Sequence, residues 1–172
     1  DGFVFGDTNA IAQDTTGYLW LGTSLGLVRF DGVRFVPWNI SGVPTGIFVT
    51  ALHASSDGSL WVGLSTGIVR IRNDEATLYT SREGFRGDLV ARIVEDDERT
   101  IWVSSAAGLW RFRDNRWEQI GPTQGLSARS SSALLVAPDG MLWVGTADGI
   151  FRRDAGRDIF QRNYGRFQSH SS

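Results

Sequence analysis

Four tryptophans recur at one fixed interval: Trp20, Trp61, Trp102 and Trp143 follow one another every 41 residues. The same interval relates Gly26, Gly67, Gly108 and Gly149, and again Arg29, Arg70, Arg111 and Arg152. An apolar pair brackets each Trp (Leu19/Leu21, Leu60/Val62, Ile101/Val103, Leu142/Val144), and nine residues upstream lies Ile11, Leu52, Ile93 or Leu134. A period of this size marks an array in which one small unit recurs and buries its faces by stacking on its neighbours.

The local chemistry of a unit is that of short strands. In the second copy, residues 49–54 (VTALHA) end in the turn-forming run Ser55-Ser56-Asp57-Gly58. Strands are then predicted at 60–64, 68–72 and 77–80, before a Gly-containing linker from Ser81 to Gly87. No window sustains a 3.6-residue apolar period, so helix should be scarce. A β-sandwich has no reason to keep one period; four-stranded sheets stacked radially do. The sequence therefore predicts an all-β fold, a β-propeller of four consecutive four-stranded antiparallel blades. They span approximately residues 8–46, 47–87, 88–128 and 129–167, within a propeller region 1–167 and ahead of a polar tail, 168–172. Such an array either closes alone as a four-blade ring, closes by pairing with a second copy, or is part of a larger propeller. An open array leaves blade faces and strand edges bare, which invites self-association.

The recurring residues acquire structural tasks. Each Trp is expected between adjacent blades, where burying its ~200 Å² at ~25 cal/mol/Å² stabilises by several kcal/mol before entropy is subtracted. Each recurring Gly is expected to supply a positive-φ turn between the second and third strands.

Composition narrows function mainly by exclusion. A formal net charge of −2, from 17 basic and 19 acidic side chains scattered along 172 residues, offers no basic stripe for nucleic acid and no polybasic run for a membrane surface. All 17 basic residues are Arg, and the absence of Cys excludes disulfides, a thiolate nucleophile and a Cys-ligated zinc. No stretch approaches the ~18–20 apolar residues of a membrane span, and no signal peptide is visible. The chain opens at Asp1 rather than Met, as expected of a processed product or an excerpt of a longer protein.

The run Gly17-Tyr18-Leu19-Trp20-Leu21-Gly22-Thr23, followed by Gly26-Leu27-Val28-Arg29-Phe30-Asp31-Gly32, resembles the two-component regulator propeller repeat. Copies at Gly58–Gly63, Thr100–Ser104 and Gly140–Thr146 match with some drift, so the resemblance spans about residues 8–163. It implies the extracytoplasmic, periplasmic sensor of a bacterial membrane receptor, whose output is a histidine kinase, a hybrid two-component protein or a diguanylate cyclase. It also implies a small-molecule or carbohydrate ligand, and no catalysis. Family sensors carry many more blades than four, so this chain departs from them in size. The alternative readings are a propeller enzyme similar to the streptogramin lyases, which wants a His and an acid on the ring face, and a stand-alone interaction platform.

Candidate chemistry is sparse. His53 falls in a strand column otherwise filled by Ala12, Val94 and Leu135, which favours a satisfied core or inter-blade position over a general base. His170 lies in the polar tail, and two histidines assemble no triad or His-rich metal site. Glu95-Asp96-Asp97-Glu98 has the composition of a calcium site but the position of a hairpin turn, so a solvated turn is expected. The Arg column reads as a repeated structural contact rather than an anion-binding ring. Trp38, Trp110 and Trp117 lie outside the Trp column: exposed they would stack on sugar rings, buried they would fill gaps. They are the ligand-binding candidates; no catalytic residue, metal site or cofactor is expected.

Overall fold

The computed structural model describes residues 4–127 and 130–164. Sixteen strands fall into four sheets of four, each an antiparallel meander in chain order. The first blade holds β1 (Thr8–Gln13), β2 (Leu19–Thr23), β3 (Gly26–Phe30) and β4 (Phe35–Trp38). The second holds β5 (Val49–Ala54), β6 (Leu60–Leu64), β7 (Ile68–Arg72) and β8 (Glu75–Tyr79). The third holds β9 (Val90–Glu95), β10 (Ile101–Ser105), β11 (Gly108–Arg113) and β12 (Arg116–Gln119). The fourth holds β13 (Ser131–Val136), β14 (Leu142–Thr146), β15 (Gly149–Arg153) and β16 (Phe160–Arg162). Among the described residues helix is confined to two single 3₁₀ turns, Ser81–Glu83 and Pro122–Gln124.

The second blade follows its predicted strands closely, except at its edge. There the strand is Glu75–Tyr79 and not 77–80. Asn73 (φ 51°) and Asp74 (φ 63°) form a two-residue loop with both central residues left-handed, which lets Arg72 pair directly with Glu75.

Strand alternation gives every blade two unlike faces. One carries the Trp and the residue seven positions on; the other carries the apolar pair. Stacking is always Trp face onto pair face. Trp20 and Leu27 meet Leu60, Val62 and Val69. Trp61 and Ile68 meet Ile101, Val103 and Phe112. Trp102 and Leu109 meet Leu142, Val144 and Phe151. The innermost strands β1, β5, β9 and β13 pack in succession, and no substantial contact joins the first blade to the fourth. The four blades form an open arc. Trp20, Trp61 and Trp102 are buried, whereas Trp143, with no blade after it among the described residues, is half-buried.

The recurring glycines divide by task. Gly26, Gly108 and Gly149 have φ of 132°, 114° and 125° in their β2–β3-type turns, which Thr23, Ser105 and Thr146 close by donating a hydroxyl to the glycine carbonyl. Gly67 departs from the expected positive φ. Leu64 replaces the hydroxyl residue there, the turn differs, and Gly67 is needed for space: a Cβ would lie 2.7 Å from the Tyr79 carbonyl oxygen. Another column, Gly22 and Gly63, lets the blades approach, since a Cβ would meet a Val49 or Val90 methyl at 2.5 or 2.6 Å.

Candidate functional site

The hairpin between the first two strands of each blade builds one rim of the arc. In the first and third blades an Asp six residues before the Trp turns back onto it. Asp14 and Asp96 each accept the indole N–H of Trp20 and Trp102 at 2.7 Å, together with backbone amides of their own turns. The acidic run is the expected hairpin turn, with Asp97 and Glu98 exposed, but it is not solvated throughout. Asp96 is buried, also paired with Arg153 at 3.2 Å, while Glu95 reaches across to accept from the Ser56 amide and hydroxyl, and Glu98 meets Arg113. Glu95, Asp96 and Glu98 thus turn toward different groups, with Arg153 reaching both Asp96 and Glu98. The signal for the Asp-to-indole bond was present in the sequence as the six-residue Asp-to-Trp spacing.

The Arg column packs on the Trp column. Arg29 lies 4.4 Å from the Tyr18 ring and 4.6 Å from Trp38; Arg70 lies 5.5 Å from Trp61, and Arg111 lies 6.0 Å from Trp102. With Arg29 also 5.8 Å over Trp20, these are cation–π contacts over the rings of the three buried inter-blade Trp residues. Arg111 is further held by Glu118 and Asp158. Burial lowers its affinity for the proton, but these two carboxylates more than compensate and raise it.

Between the second and third blades this rim opens into a cleft of about 510 Å³. Trp61, Ile101 and Phe112 form its floor. Asp57, Arg70 and Arg72 line one wall, and Glu95, Glu98, Arg99 and Arg113 line the other. Asp57 is fixed by Arg70 at 2.6 Å and by the Ser59 amide at 2.9 Å. Burial pushes its carboxyl up, but the hydrogen bonds from Ser59 and Arg70 outweigh this and hold it below the usual carboxylate range. The result is a slot with an aromatic base and walls carrying both charge signs. It suits a ligand with an apolar face and many hydroxyl or ionic groups at its edge.

His53 sits on β5 at the joint with the third blade, its Nε2 3.7 Å from Glu95 Oε2. That is beyond hydrogen-bond reach, and this buried nitrogen has no hydrogen-bond partner among the described residues, so the position is inter-blade but not satisfied. Burial lowers its pKa, an effect the Glu95 charge offsets only partly. His170 and the tail 168–172 lie outside the described residues.

The three Trp candidates are packed rather than offered to solvent. Trp110 is buried against Phe85, with ring centroids 5.3 Å apart, which corrects any reading of it as an exposed stacking platform. Trp117 is half-buried among Trp61, Tyr79, Phe85 and Phe112. Trp38 is half-buried, edge-on to Trp20 at 5.2 Å, and borders a crevice of about 50 Å³. The charged residues of the larger cleft were missed as a group because they come from turns far apart in sequence; only Arg70 stood in a recurring column.

No family model matches the sequence, and no curated protein does. Solved structures match in fold. The extracellular domain of BT4673 from B. thetaiotaomicron, assigned to a one-component system, aligns with a TM-score of 0.77 at 22% identity, over 93% of this chain and 25% of that one. The extracellular domain of BT3049 from the same organism, assigned to a hybrid two-component system, gives 0.73 at 20% identity, over 85% of this chain and 21% of that one. Virginiamycin B lyase from Staphylococcus aureus, in a catalytically inactive form with quinupristin, gives 0.69 at 18% identity, over 94% of this chain and 57% of the other. The chain is an all-β propeller array similar to these extracellular sensor domains, and it spans a quarter or less of their length.

Proposed function

We propose that the chain is part of the extracytoplasmic, ligand-sensing propeller of a bacterial signal-transduction receptor, without catalysis of its own. The likeness to the extracellular domain of BT4673 over 93% of the chain carries this reading. The cleft between the second and third blades is its candidate ligand site, and its aromatic floor and two-signed rim fit a small polar ligand such as a carbohydrate with acidic or hydroxyl substituents. A thermal-shift panel of neutral sugars, acidic sugars and amino acids tests it. A ligand at 100 times its Kd stabilises by ~2.7 kcal/mol, and Arg72→Ala with Arg99→Ala should abolish the shift. A panel with no shift, or a shift indifferent to those substitutions, removes the cleft from consideration.

A second reading, an enzyme of the lyase type, is favoured by one observation: His53 and Glu95 stand 3.7 Å apart on innermost strands, in a fold that aligns with virginiamycin B lyase. Incubation with quinupristin, followed by mass spectrometry, decides it. Turnover lost in His53→Leu supports the enzyme, and an unchanged substrate leaves the sensor.

A further inference from the structure

Arg99 stands where the other three blades carry glycine. Gly17, Gly58 and Gly140 close the first hairpin of their blades with φ of 93°, 81° and 78°, and Arg99 closes that of the third blade with φ 62°. The turn itself is unchanged: in all four blades the amide of this residue donates to the carbonyl three positions back, at 2.9 or 3.0 Å. A Cβ at Gly17 or Gly58 would meet nothing within 4 Å, so the left-handed backbone, not crowding, selects glycine there. Arginine is not one of the residues that visit this region readily, and the third blade holds it there at a conformational cost that glycine would avoid. Nothing inside the fold offsets that cost: the side chain is exposed, and among the described residues its guanidinium makes no hydrogen bond or ion pair. Strain of this kind is found where a side chain serves a site.

Arg99 lines the cleft between the second and third blades, where the charges are balanced in number but not in availability. Four arginines and four carboxylates line that cleft. Three of the carboxylates are committed: Asp57 to Arg70 at 2.6 Å, Glu98 to Arg113 at 3.2 Å, and Glu95 to the amide and hydroxyl of Ser56 at 2.7 and 2.8 Å. The fourth, Asp114, stands in solvent, 91% exposed. Among the arginines, Arg70 and Arg113 are used up by these pairs. Arg72 reaches only Asp57, at 3.9 Å, and Arg99 reaches no carboxylate. The charge left over is therefore positive, on Arg72 of one wall and Arg99 of the other. Each guanidinium offers a fork of N–H donors that matches the oxygens of a carboxylate, sulfate or phosphate group. We propose, on the reading of this cleft as the ligand site, that it selects anionic ligands and that Arg99 sets this selectivity, binding the ligand's carboxylate, sulfate or phosphate group with Arg72 facing it from the opposite wall.

Melting temperatures of the protein, of Arg99→Gly and of Arg72→Gln, taken with glucuronate, sulfate, phosphate and uncharged glucose at constant ionic strength, test this. Arg99→Gly restores the residue of the other three blades, so without ligand it should melt at or above the parent's temperature. At least one anion should raise the parent's melting temperature while glucose does not. Arg99→Gly should weaken the binding of that anion by roughly tenfold or more, because a hydrogen bond between charged groups is lost; Arg72→Gln should weaken it too. Stabilisation by sulfate or phosphate as bulk salts acts on parent and variants alike and cancels in the comparison. Glucuronate acting alone places the anionic group on a sugar, and inorganic anions acting as well place it on a free ion; both uphold the assignment. Glucose as effective as glucuronate would leave the cleft a ligand site and overturn its selectivity. An anion response unchanged in either variant, or an Arg99→Gly that melts well below the parent, would overturn the role of the two arginines. No response to any anion overturns it as well, the cleft itself then standing or falling with the wider panel.

Discussion

The guanidinium of Arg153 lies 4.9 Å over the indole ring of Trp102 and 3.2 Å from Asp96, the carboxylate that also holds the Trp102 N–H at 2.7 Å. The three groups come from two blades and all are buried. Elsewhere the Arg153 column holds Phe30, Ile71 and Phe112, so the last joint replaces an apolar contact with an ionic one. Breaking a buried pair from one side leaves a charge without compensation, at a cost of about 3–5 kcal/mol. Arg153→Ala should destabilise by that amount in urea melts. The double change Asp96→Ser with Arg153→Phe copies the Ser55 and Phe112 combination of the preceding joint and should recover most of the loss.

Trp61→Ala should cost about 3–5 kcal/mol, the usual toll of emptying a buried aromatic site. Trp143→Ala should cost about 1 kcal/mol or less in the single chain, because half of its surface is already in water. Urea midpoints of the two variants compare them directly; equal losses would contradict the open arc.

Stability should fall in two steps on acidification. The His53 pKa is depressed below 6.5, chiefly by burial, so the unfolded chain takes up the proton first. Its contribution is complete above 6.5 and erodes as the pH drops below that value. Asp14 and Asp57 are depressed too: burial raises both, but hydrogen bonds from Thr16 and Trp20, and from Ser59 and Arg70, more than reverse it. What they contribute is present above the ordinary carboxylate range, near ~3.9, and is lost as the pH falls through their folded values. Urea midpoints measured against pH should show both steps, and His53→Leu should remove only the first.

Gly63→Ala should destabilise the joint between the second and third blades, because its new methyl would meet the Val90 side chain at 2.6 Å. Val90→Ala alone should also destabilise, through the cavity it leaves. Combined, the two should cost less than the sum of their separate effects, since each relieves the other; chemical denaturation of all four chains measures the coupling.

The architecture was legible in the sequence because it is repetitive: the same Trp, Gly and Arg columns recur, and a repeat forces its faces to stack. What stayed hidden is what breaks the repeat. Leu64 stands where Thr23 and Thr146 close a turn, and nothing local announces that Gly67 then loses its positive φ. Asp96 looked like one acid of four; its six-residue spacing to Trp102 matches that of Asp14 to Trp20, but only the fold brings Arg153 to it. The cleft was invisible for a related reason: Asp57 and Arg72 meet Arg99 and Arg113 only once two blades are laid side by side.

Where Gly22 and Gly63 face Val49 and Val90, the third blade has Ser104, and the matching position on the fourth is Ser131. The bulk given up on one side of that joint is taken up on the other. A gene rearranged so that the third blade preceded a valine-bearing one would set a side chain where only glycine fits. The blades are thus not freely interchangeable: the seams after the first and second blades set glycine against valine, while the seam after the third sets serine against serine and would reject a valine-bearing successor.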